Sequence, residues 1–268
     1  MIKLIPPIQN FKFTANVSQM FGVGYEIYFN SFGMPGHNGL DIIVREGGIA
    51  GYGTPVVAAH DFDSVTIETD FPTKTKGNGI YLRKKLDVPM YFNGKKADYI
   101  ETCYWHLSDF EFKTSLINVK GKAGDVIGLM GNSGFVFPAP SQICPHCGTH
   151  LHFGVRFYDQ FGNLLDENDG YNGYKDPVPY LFNTGDKLPI SFQRELYLFA
   201  PRGNDISWLQ TILKVEGVAD SYEPIGKFGP KTMASVIAFQ KKWGLTPAVG
   251  YVGPKTLDLL RRKYALFS

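Results

Sequence analysis

The chain of 268 residues carries a formal net charge of +2, is 44% hydrophobic and 15% aromatic, and contains only three cysteines. It is long enough for one large domain or two smaller ones and too poor in cysteine for a disulfide scaffold. It also lacks an apolar run of the roughly 18 residues that cross a membrane, so we expect no membrane insertion. No basic run reaches five residues, and we expect no nucleic-acid partner.

The first part of the chain, up to about residue 185, alternates short β-branched and apolar runs with turns rich in Gly and Pro. This pattern is typical of an antiparallel all-β domain. The predicted strands are Val56–Ala59, Ser64–Thr69, Gly79–Arg83, Tyr99–Tyr104 and Leu151–Phe157. The first 11 residues lack the long apolar stretch and cleavage site of a secretory signal. We therefore expect export by another route, or a signal outside this segment.

The last part of the chain changes in composition and favours helices. Asp205 is placed to cap a first helix. Its apolar residues recur at helical spacing, at Ile206, Leu209, Ile212 and Leu213. An internal repeat follows, in which Gly226–Thr232 recurs as Gly250–Thr256. In each copy a glycine precedes a proline at the predicted first helical position, where a missing N–H has no cost.

These patterns predict a multi-domain chain in which an antiparallel all-β catalytic domain precedes a small all-α domain of three helices. We place the first domain at 1–185, a linker at 186–194 and the second domain at 195–268.

Three histidine-containing groups are the candidates for chemistry. They are His37-Asn38-Gly39-Leu40-Asp41, Tyr104-Trp105-His106-Leu107-Ser108 and His150-Leu151-His152. A histidine and a carboxylate four positions apart, with a distant His-x-His, can form a two-His, one-carboxylate zinc site that keeps an open position, as catalytic zinc does. Strand alternation points both histidines of His-x-His to one face, so one can bind the metal while its neighbour moves protons. His106 is the other candidate for proton transfer.

The remaining histidines and the cysteines have weaker signals. His60 and His146 lack such a context and are predicted to be structural or loop residues. Cys103 lies in an apolar-rich stretch and is predicted to be a buried thiol. Cys144 and Cys147 fit reduced loop thiols, a local disulfide, a redox pair or half of a second metal site. We prefer the thiols or the disulfide, because a second zinc needs two more ligands and only His146 is near.

Five motifs, taken in order, resemble those of the lysostaphin-type zinc metallopeptidases, which cut peptide bonds in bacterial cell-wall peptidoglycan. The motifs are Val17–Gly22, Gly36–Asp41, Tyr104–Ser108, Lys120–Gly134 and Gly148–Phe153. The resemblance implies zinc ligands and catalytic histidines at specific positions. The ligands are His37, Asp41 and His152, and the catalytic pair is His106 and His150. The chain departs from the family pattern at Phe135–Cys147, which we interpret as an enlarged loop at the substrate groove.

The C-terminal part resembles the three-helix peptidoglycan-binding module of many wall hydrolases. The match lies in Ile206–Gln210, Gly229–Thr232, Val236–Gln240, Gly244–Leu245 and Gly253–Thr256. Most of these apolar residues are expected to be helix core. Tyr222 and Tyr251 are candidates to stack on sugar rings if they are exposed, although a lone surface tyrosine usually has no such role.

The two resemblances together imply a monomeric, zinc-dependent peptidoglycan endopeptidase that its C-terminal domain holds at the bacterial cell wall, which raises the local concentration of bonds. The domain order resembles that of a phage endolysin, which stays in the host cytoplasm until release. A secreted bacterial wall-remodelling enzyme is the alternative source. Alternative functions are a non-hydrolytic wall-binding scaffold, an activator of another hydrolase, or a phage tail-tip component. The sequence does not identify the bond that is cut, although it favours the direct cross-link over a glycine bridge.

Overall fold

The computed structural model describes residues 2–44, 51–69, 76–92, 94–183, 185–219 and 226–266, in which two β-sheets precede a group of helices. The strands are β1 (Val17–Gln19), β2 (Leu40–Ile42), β3 (Pro55–Val57), β4 (Phe62–Thr69), β5 (Asn78–Phe92), β6 (Lys95–Trp105), β7 (Leu107–Phe110), β8 (Leu116–Gly121), β9 (Val126–Met130) and β10 (Leu151–Tyr158). The helices are α1 (Phe13–Asn16), α2 (Tyr25–Phe32), α3 (Val178–Leu181), α4 (Asn204–Val215), α5 (Pro230–Lys242) and α6 (Pro254–Lys263).

Every pairing between these strands is antiparallel. The larger sheet has the order β1-β2-β10-β6-β5-β4-β8, and the smaller has the order β3-β9-β7. Each of the five predicted strands overlaps one of these elements, namely β3, β4, β5, β6 and β10. The predicted fold class, an antiparallel β-domain followed by a small all-α domain, is confirmed.

Strand β10 shows how the large sheet buries both of its faces. Successive side chains of a strand point to opposite faces. The residues Leu151, Phe153, Val155 and Phe157 are fully buried in the main core. On the other face, the sheet covers a second apolar cluster formed by Phe21, Tyr81, Cys103, Trp105, Tyr171 and Tyr174. Cys103 is 1% exposed, so the prediction of a buried thiol is confirmed, and burial raises its pKa to about 12.

Beside this second cluster, Glu101 is a buried carboxylate held by two arginines. It accepts hydrogen bonds from Arg83 at 2.8 and 3.1 Å, from Arg156 Nε at 3.0 Å and from the hydroxyl of Tyr158 at 3.0 Å. The cation of Arg83 also lies 3.8 Å from the centre of the Tyr158 ring. The buried charge of Glu101 is therefore paired, as buried charges must be.

The three C-terminal helices follow the predicted pattern. The four predicted apolar residues of α4 are fully buried, and α5 and α6 each begin at a proline that follows an N-cap glycine. The repeat is held by two equivalent glutamines. Gln210 accepts from Gly226 N and donates to Thr232 Oγ1, and Gln240 makes the same pair of bonds with the second copy, at Gly250 and Thr256.

Some features differ from the expectations. Asp205 is not the cap of α4, because the helix begins at Asn204 with Gly203 as its N-cap. Its carboxylate instead forms an ion pair with Arg194. The eight-residue helix α2, which buries none of its residues, has no signal in the periodicity of the sequence.

The segment 186–194, expected to be a linker, packs against the helices. Leu188, Ile190 and Phe192 are at most 1% exposed, and Leu188 N donates to Tyr264 O at 2.8 Å. The domain boundaries themselves stay a prediction. In the part of the chain that the structure describes, no helix has the length and apolar character needed to cross a membrane.

Candidate metal centre

The candidate ligands come together because three neighbouring elements meet at the end of β10. In the register of the large sheet, His152 lies opposite Asp41 of β2 on one side and opposite Trp105 of β6 on the other. His37 precedes β2 and is fixed by two backbone hydrogen bonds, from Gly22 N to its carbonyl at 2.8 Å and from its own N–H to Val23 O at 2.9 Å. The strand register therefore brings together residues 115 positions apart in the chain.

Three side-chain atoms converge at this point. His37 Nε2 and His152 Nδ1 lie 3.0 Å apart, and both lie close to Asp41 Oδ1, at 3.1 and 3.2 Å respectively. Zinc binds nitrogen and oxygen ligands at about 2.0–2.2 Å, so the ligand atoms of a tetrahedral site are separated by roughly 3.3–3.5 Å. The three observed separations are close to those of one face of such a tetrahedron.

The hydrogen bonding of the three side chains fits a metal better than a simple polar cluster. Asp41 Oδ1 is buried and makes no hydrogen bond of proper geometry among the described residues, although two imidazole nitrogens lie beside it. Buried polar atoms normally have a partner, and an acceptor that faces two nitrogens without a hydrogen bond is typical of a cation site. The described residues contain one group of His, Cys, Asp and Glu side chains arranged to hold a metal, and it is this one.

The surroundings hold the ring of His152 in place. The ring stacks on Trp105, with centroids 4.2 Å apart and an angle of 8° between the planes. On the side of Gly39 there is no spare room, because a Cβ at that position would lie 2.4 Å from His152 Nε2. Glycine is therefore required between His37 and Asp41 if the ring of His152 is to reach the site.

Two further histidines stand beside the convergent atoms. His106 Nδ1 lies 2.8 Å from Ser133 O, and His150 Nδ1 lies 2.8 Å from Gly148 O. A carbonyl only accepts hydrogen bonds, so both Nδ1 atoms carry the proton and both Nε2 atoms keep a lone pair. The two rings are 4.5 Å apart, and His150 Nε2 lies 3.7 Å from Asp41 Oδ1.

The electrostatics of the group favour a neutral His106 and a neutral His152 beside an ionised Asp41. Burial, together with His150 and His152, lowers the pKa of His106 to about 3. Burial also lowers the pKa of His152 to about 4. Burial alone would raise the pKa of Asp41, but His37 and His150 hold it well below its usual range. A neutral His152 and an ionised Asp41 are the protonation states that these two side chains need in order to bind a metal.

The predicted site residues therefore meet in one place, although their assignment as ligands and catalytic groups stays a prediction. The sequence reasoning did not single out Tyr28, whose ring centroid lies 5.3 Å from that of His37. It belongs to α2, and no local pattern marked it. The stacking of Trp105 on His152 was also not predicted, although Trp105 lies in the motif Tyr104–Ser108.

The enlarged loop predicted at Phe135–Cys147 adjoins the site. The Phe135 ring lies 5.9 Å from that of Phe32 in α2. Phe137 and Ile143 are at least 90% exposed. Within the loop, Cys144 and Cys147 form a disulfide, which was one of the preferred interpretations, so neither thiol serves a second metal.

The other histidines have structural contacts. His60 is buried, and its Nε2 lies 3.0 Å from the hydroxyl of Thr102, while the ring of His146 packs 4.1 Å from that of Tyr52. Tyr222 lies outside the described residues. Tyr251 is 40% exposed, and its hydroxyl donates to Glu195.

Residues 202–260 match the sequence model of a family described as "Putative peptidoglycan binding domain". No curated protein matches the chain in sequence.

Several solved structures resemble this one, among them lysostaphin and related peptidases. The antimicrobial peptidase lysostaphin from Staphylococcus simulans matches at 21% identity with a TM-score of 0.39, over 63% of this chain and 49% of that one. Its catalytic domain matches at 22% identity with a TM-score of 0.35, over 61% and 90%.

A zinc-containing peptidase from Vibrio cholerae matches at 20% identity with a TM-score of 0.36, over 56% of this chain and 35% of that one. The chain thus spans about half of the full lysostaphin structure. At such identities and TM-scores these structures do not by themselves transfer an activity to this chain.

Proposed function

We propose that the protein is a zinc-dependent endopeptidase that hydrolyses peptide cross-links or stem peptides of bacterial peptidoglycan. The observation that carries this proposal is the convergence of His37 Nε2, Asp41 Oδ1 and His152 Nδ1 within 3.2 Å of one another, beside two histidines with fixed tautomers. Two histidines and one carboxylate form the ligand set of a catalytic zinc site, which keeps a position open for water or substrate.

The neighbouring histidines supply the proton transfers that peptide hydrolysis needs. His37, Asp41 and His152 would hold the zinc ion, which would supply Lewis acidity for the scissile carbonyl and the water. His106 and His150 each present Nε2 with its lone pair, because Nδ1 donates to a backbone carbonyl. One of them accepts the proton of the water, and a protonated histidine then supports the developing oxyanion or delivers the proton to the leaving amine.

The substrate class is supported by the C-terminal region, which matches the peptidoglycan-binding family over residues 202–260. A wall-binding unit on the same chain increases the concentration of peptide bonds near the zinc site. The substrate would approach past the exposed aromatic rings of α2 and of the loop at 135–147. The domain order supports a phage endolysin that stays in the host cytoplasm until release; a secreted bacterial enzyme is the alternative.

The test combines metal analysis with a lysis assay. We expect about one zinc per chain by mass spectrometry of the metal content, a fall in turbidity of purified cell walls, and loss of this activity with chelators. His37→Ala and Asp41→Ala should each abolish lysis. His60→Gln is the control, since His60 is also buried but lies outside the site. Undiminished cleavage by the metal-free protein would refute the proposal.

The same assays separate hydrolysis from simple binding. A non-hydrolytic scaffold would sediment with cell walls and release no peptide fragments, whether or not metal is present. Mass spectrometry of the fragments released from defined peptidoglycans would identify the bond that is cut. Size-exclusion chromatography would distinguish a monomer from a component of a larger assembly.

A further inference from the structure

The C-terminal unit touches the β-domain next to the candidate metal ligand His37. The contact is made by the Gly22 turn, which we define as residues 22–24. This turn exchanges two backbone hydrogen bonds with His37, and it packs so closely on the following residues that a Cβ on Gly36 would lie 2.6 Å from Gly22 O. A displacement of the turn therefore displaces His37.

Two side chains of helix α4 form hydrogen bonds with this turn. Ser207 is 2% exposed, and its hydroxyl donates to Gly22 O at 3.1 Å. Asn204 Oδ1, one turn earlier, accepts from Gly24 N at 3.3 Å. Two backbone groups of the turn, Gly22 O and Gly24 N, thus have partners from a helix that lies about 180 residues later in the chain.

A third contact continues the same stripe of α4. The hydroxyl of Thr211 donates to Asp176 Oδ2 at 2.6 Å, and both residues are buried. The other carboxylate oxygen accepts from Val178 N at the start of α3. Asn204, Ser207 and Thr211 follow one another at intervals of three and four residues, which places them on one face of the helix.

The helical unit packs against the preceding segment and the β-domain, as a unit on a mobile tether would not. The preceding segment packs on the helices through buried residues such as Leu188 and Phe192, and Arg261 donates to Phe192 O at 2.9 Å. The helical unit is therefore fixed against the β-domain at the point where the chain positions His37.

We propose that helix α4 positions the metal ligand His37 through the Gly22 turn, with Ser207 and Asn204 as positioning residues, so that the wall-binding unit is also part of the catalytic architecture. This inference rests on the proposed zinc peptidase function. It implies reciprocal coupling, in which docking of α4 favours zinc binding and zinc binding favours docking.

The test uses the full chain with single substitutions. In Ser207→Ala and Asn204→Ala, backbone amides of Gly22 and His37 should exchange hydrogen at least about tenfold faster in the zinc-free protein. Zinc affinity, measured by competition with a chromogenic chelator, should fall about 3- to 10-fold, the effect of losing one hydrogen bond. On a soluble cross-linked muropeptide, kcat should fall while KM changes little.

Matched variants separate positioning from general destabilisation. Ser235→Ala removes another buried hydroxyl of the helical unit, which donates to Lys231 O within helix α5 at 3.0 Å, and should leave exchange and zinc affinity unchanged. Asn204→Asp keeps an acceptor for Gly24 N and should restore zinc affinity relative to Asn204→Ala. Because the side chain of Asn204 is exposed, global unfolding would not explain a loss of zinc affinity in Asn204→Ala.

The outcomes distinguish the two proposals. Failure of the wild-type protein to bind zinc would overturn the proposed function, and the exchange rates would still decide whether α4 holds the turn. If wild-type protein binds zinc but Ser207→Ala and Asn204→Ala keep wild-type exchange rates, affinity and kcat, the positioning role is wrong.

Discussion

Replacing Gly39 with alanine should damage the candidate metal centre although no candidate ligand is itself substituted. The added Cβ would lie 2.4 Å from Nε2 and 2.6 Å from Cε1 of His152, and 2.8 Å from Phe153 O. Ordinary contacts of a carbon atom are about 3.5–4.0 Å, so the ring or the backbone has to move by roughly 1 Å. Phe153 belongs to the central strand β10 and is fully buried, so we expect the ring to move.

The size of the effect follows from the strain. Forcing an extra methyl group into a packed interior costs about 1–3 kcal/mol. If the protein relieves this strain by turning His152 away from His37 and Asp41, zinc binding loses the same free energy, which is about a 5- to 150-fold weaker affinity. Turning the ring does not relieve the contact of the new Cβ with Phe153 O at 2.8 Å, so the metal-free variant should also melt below the metal-free wild type.

The assay is chelator competition for zinc affinity, combined with thermal unfolding in the presence and absence of zinc. Gly229→Ala is the matched control, because its Cβ meets nothing within 4 Å and its φ of −101° suits an alanine. It should retain wild-type zinc affinity. A Gly39→Ala protein that binds zinc as tightly as the wild type and cleaves peptidoglycan at the same rate would refute the steric reasoning.

Three further predictions concern stability. Burial raises the pKa of Asp176. Between the pKa of the unfolded chain and the raised pKa, the carboxyl is therefore protonated in the folded protein and ionised in the unfolded chain. The free energy of unfolding that this proton contributes is lost as pH rises through the raised pKa. The melting temperature of Asp176→Asn minus that of the wild type should therefore increase from about pH 4 upward, and a constant difference would contradict this. Glu101→Gln should cost about 3–5 kcal/mol in urea unfolding, because it leaves the largely buried Arg156 without its counter-charge; a loss below about 1 kcal/mol would show that solvent screens the network. Gln240→Ala should cost about 1–3 kcal/mol, since it leaves backbone groups of the repeat unsatisfied, and an unchanged urea midpoint would argue against that bonding.

The sequence determined much of the local structure of this protein. Alternating apolar residues gave the strands, and the fully buried odd-numbered residues of β10 follow directly from that alternation. The Gly-Pro pairs at 229–230 and 253–254 marked two helix starts, because a proline at the first helical position has no N–H to satisfy. The histidines and the aspartate of the site could be selected from residue type and spacing, because the side chains that bind a metal can be recognised without knowing the fold.

Only the tertiary structure decided how distant residues meet. The antiparallel register places His152 opposite Asp41 and Trp105. In the folded protein, Nδ1 rather than Nε2 of His152 faces His37. Asp205 fits a helix cap by its type, but an ion pair with Arg194 takes its carboxylate. The contact of Ser207 with Gly22 O has no sequence signal. Local patterns reflect the neighbours of a residue along the chain, whereas these contacts depend on packing between segments that are far apart in sequence.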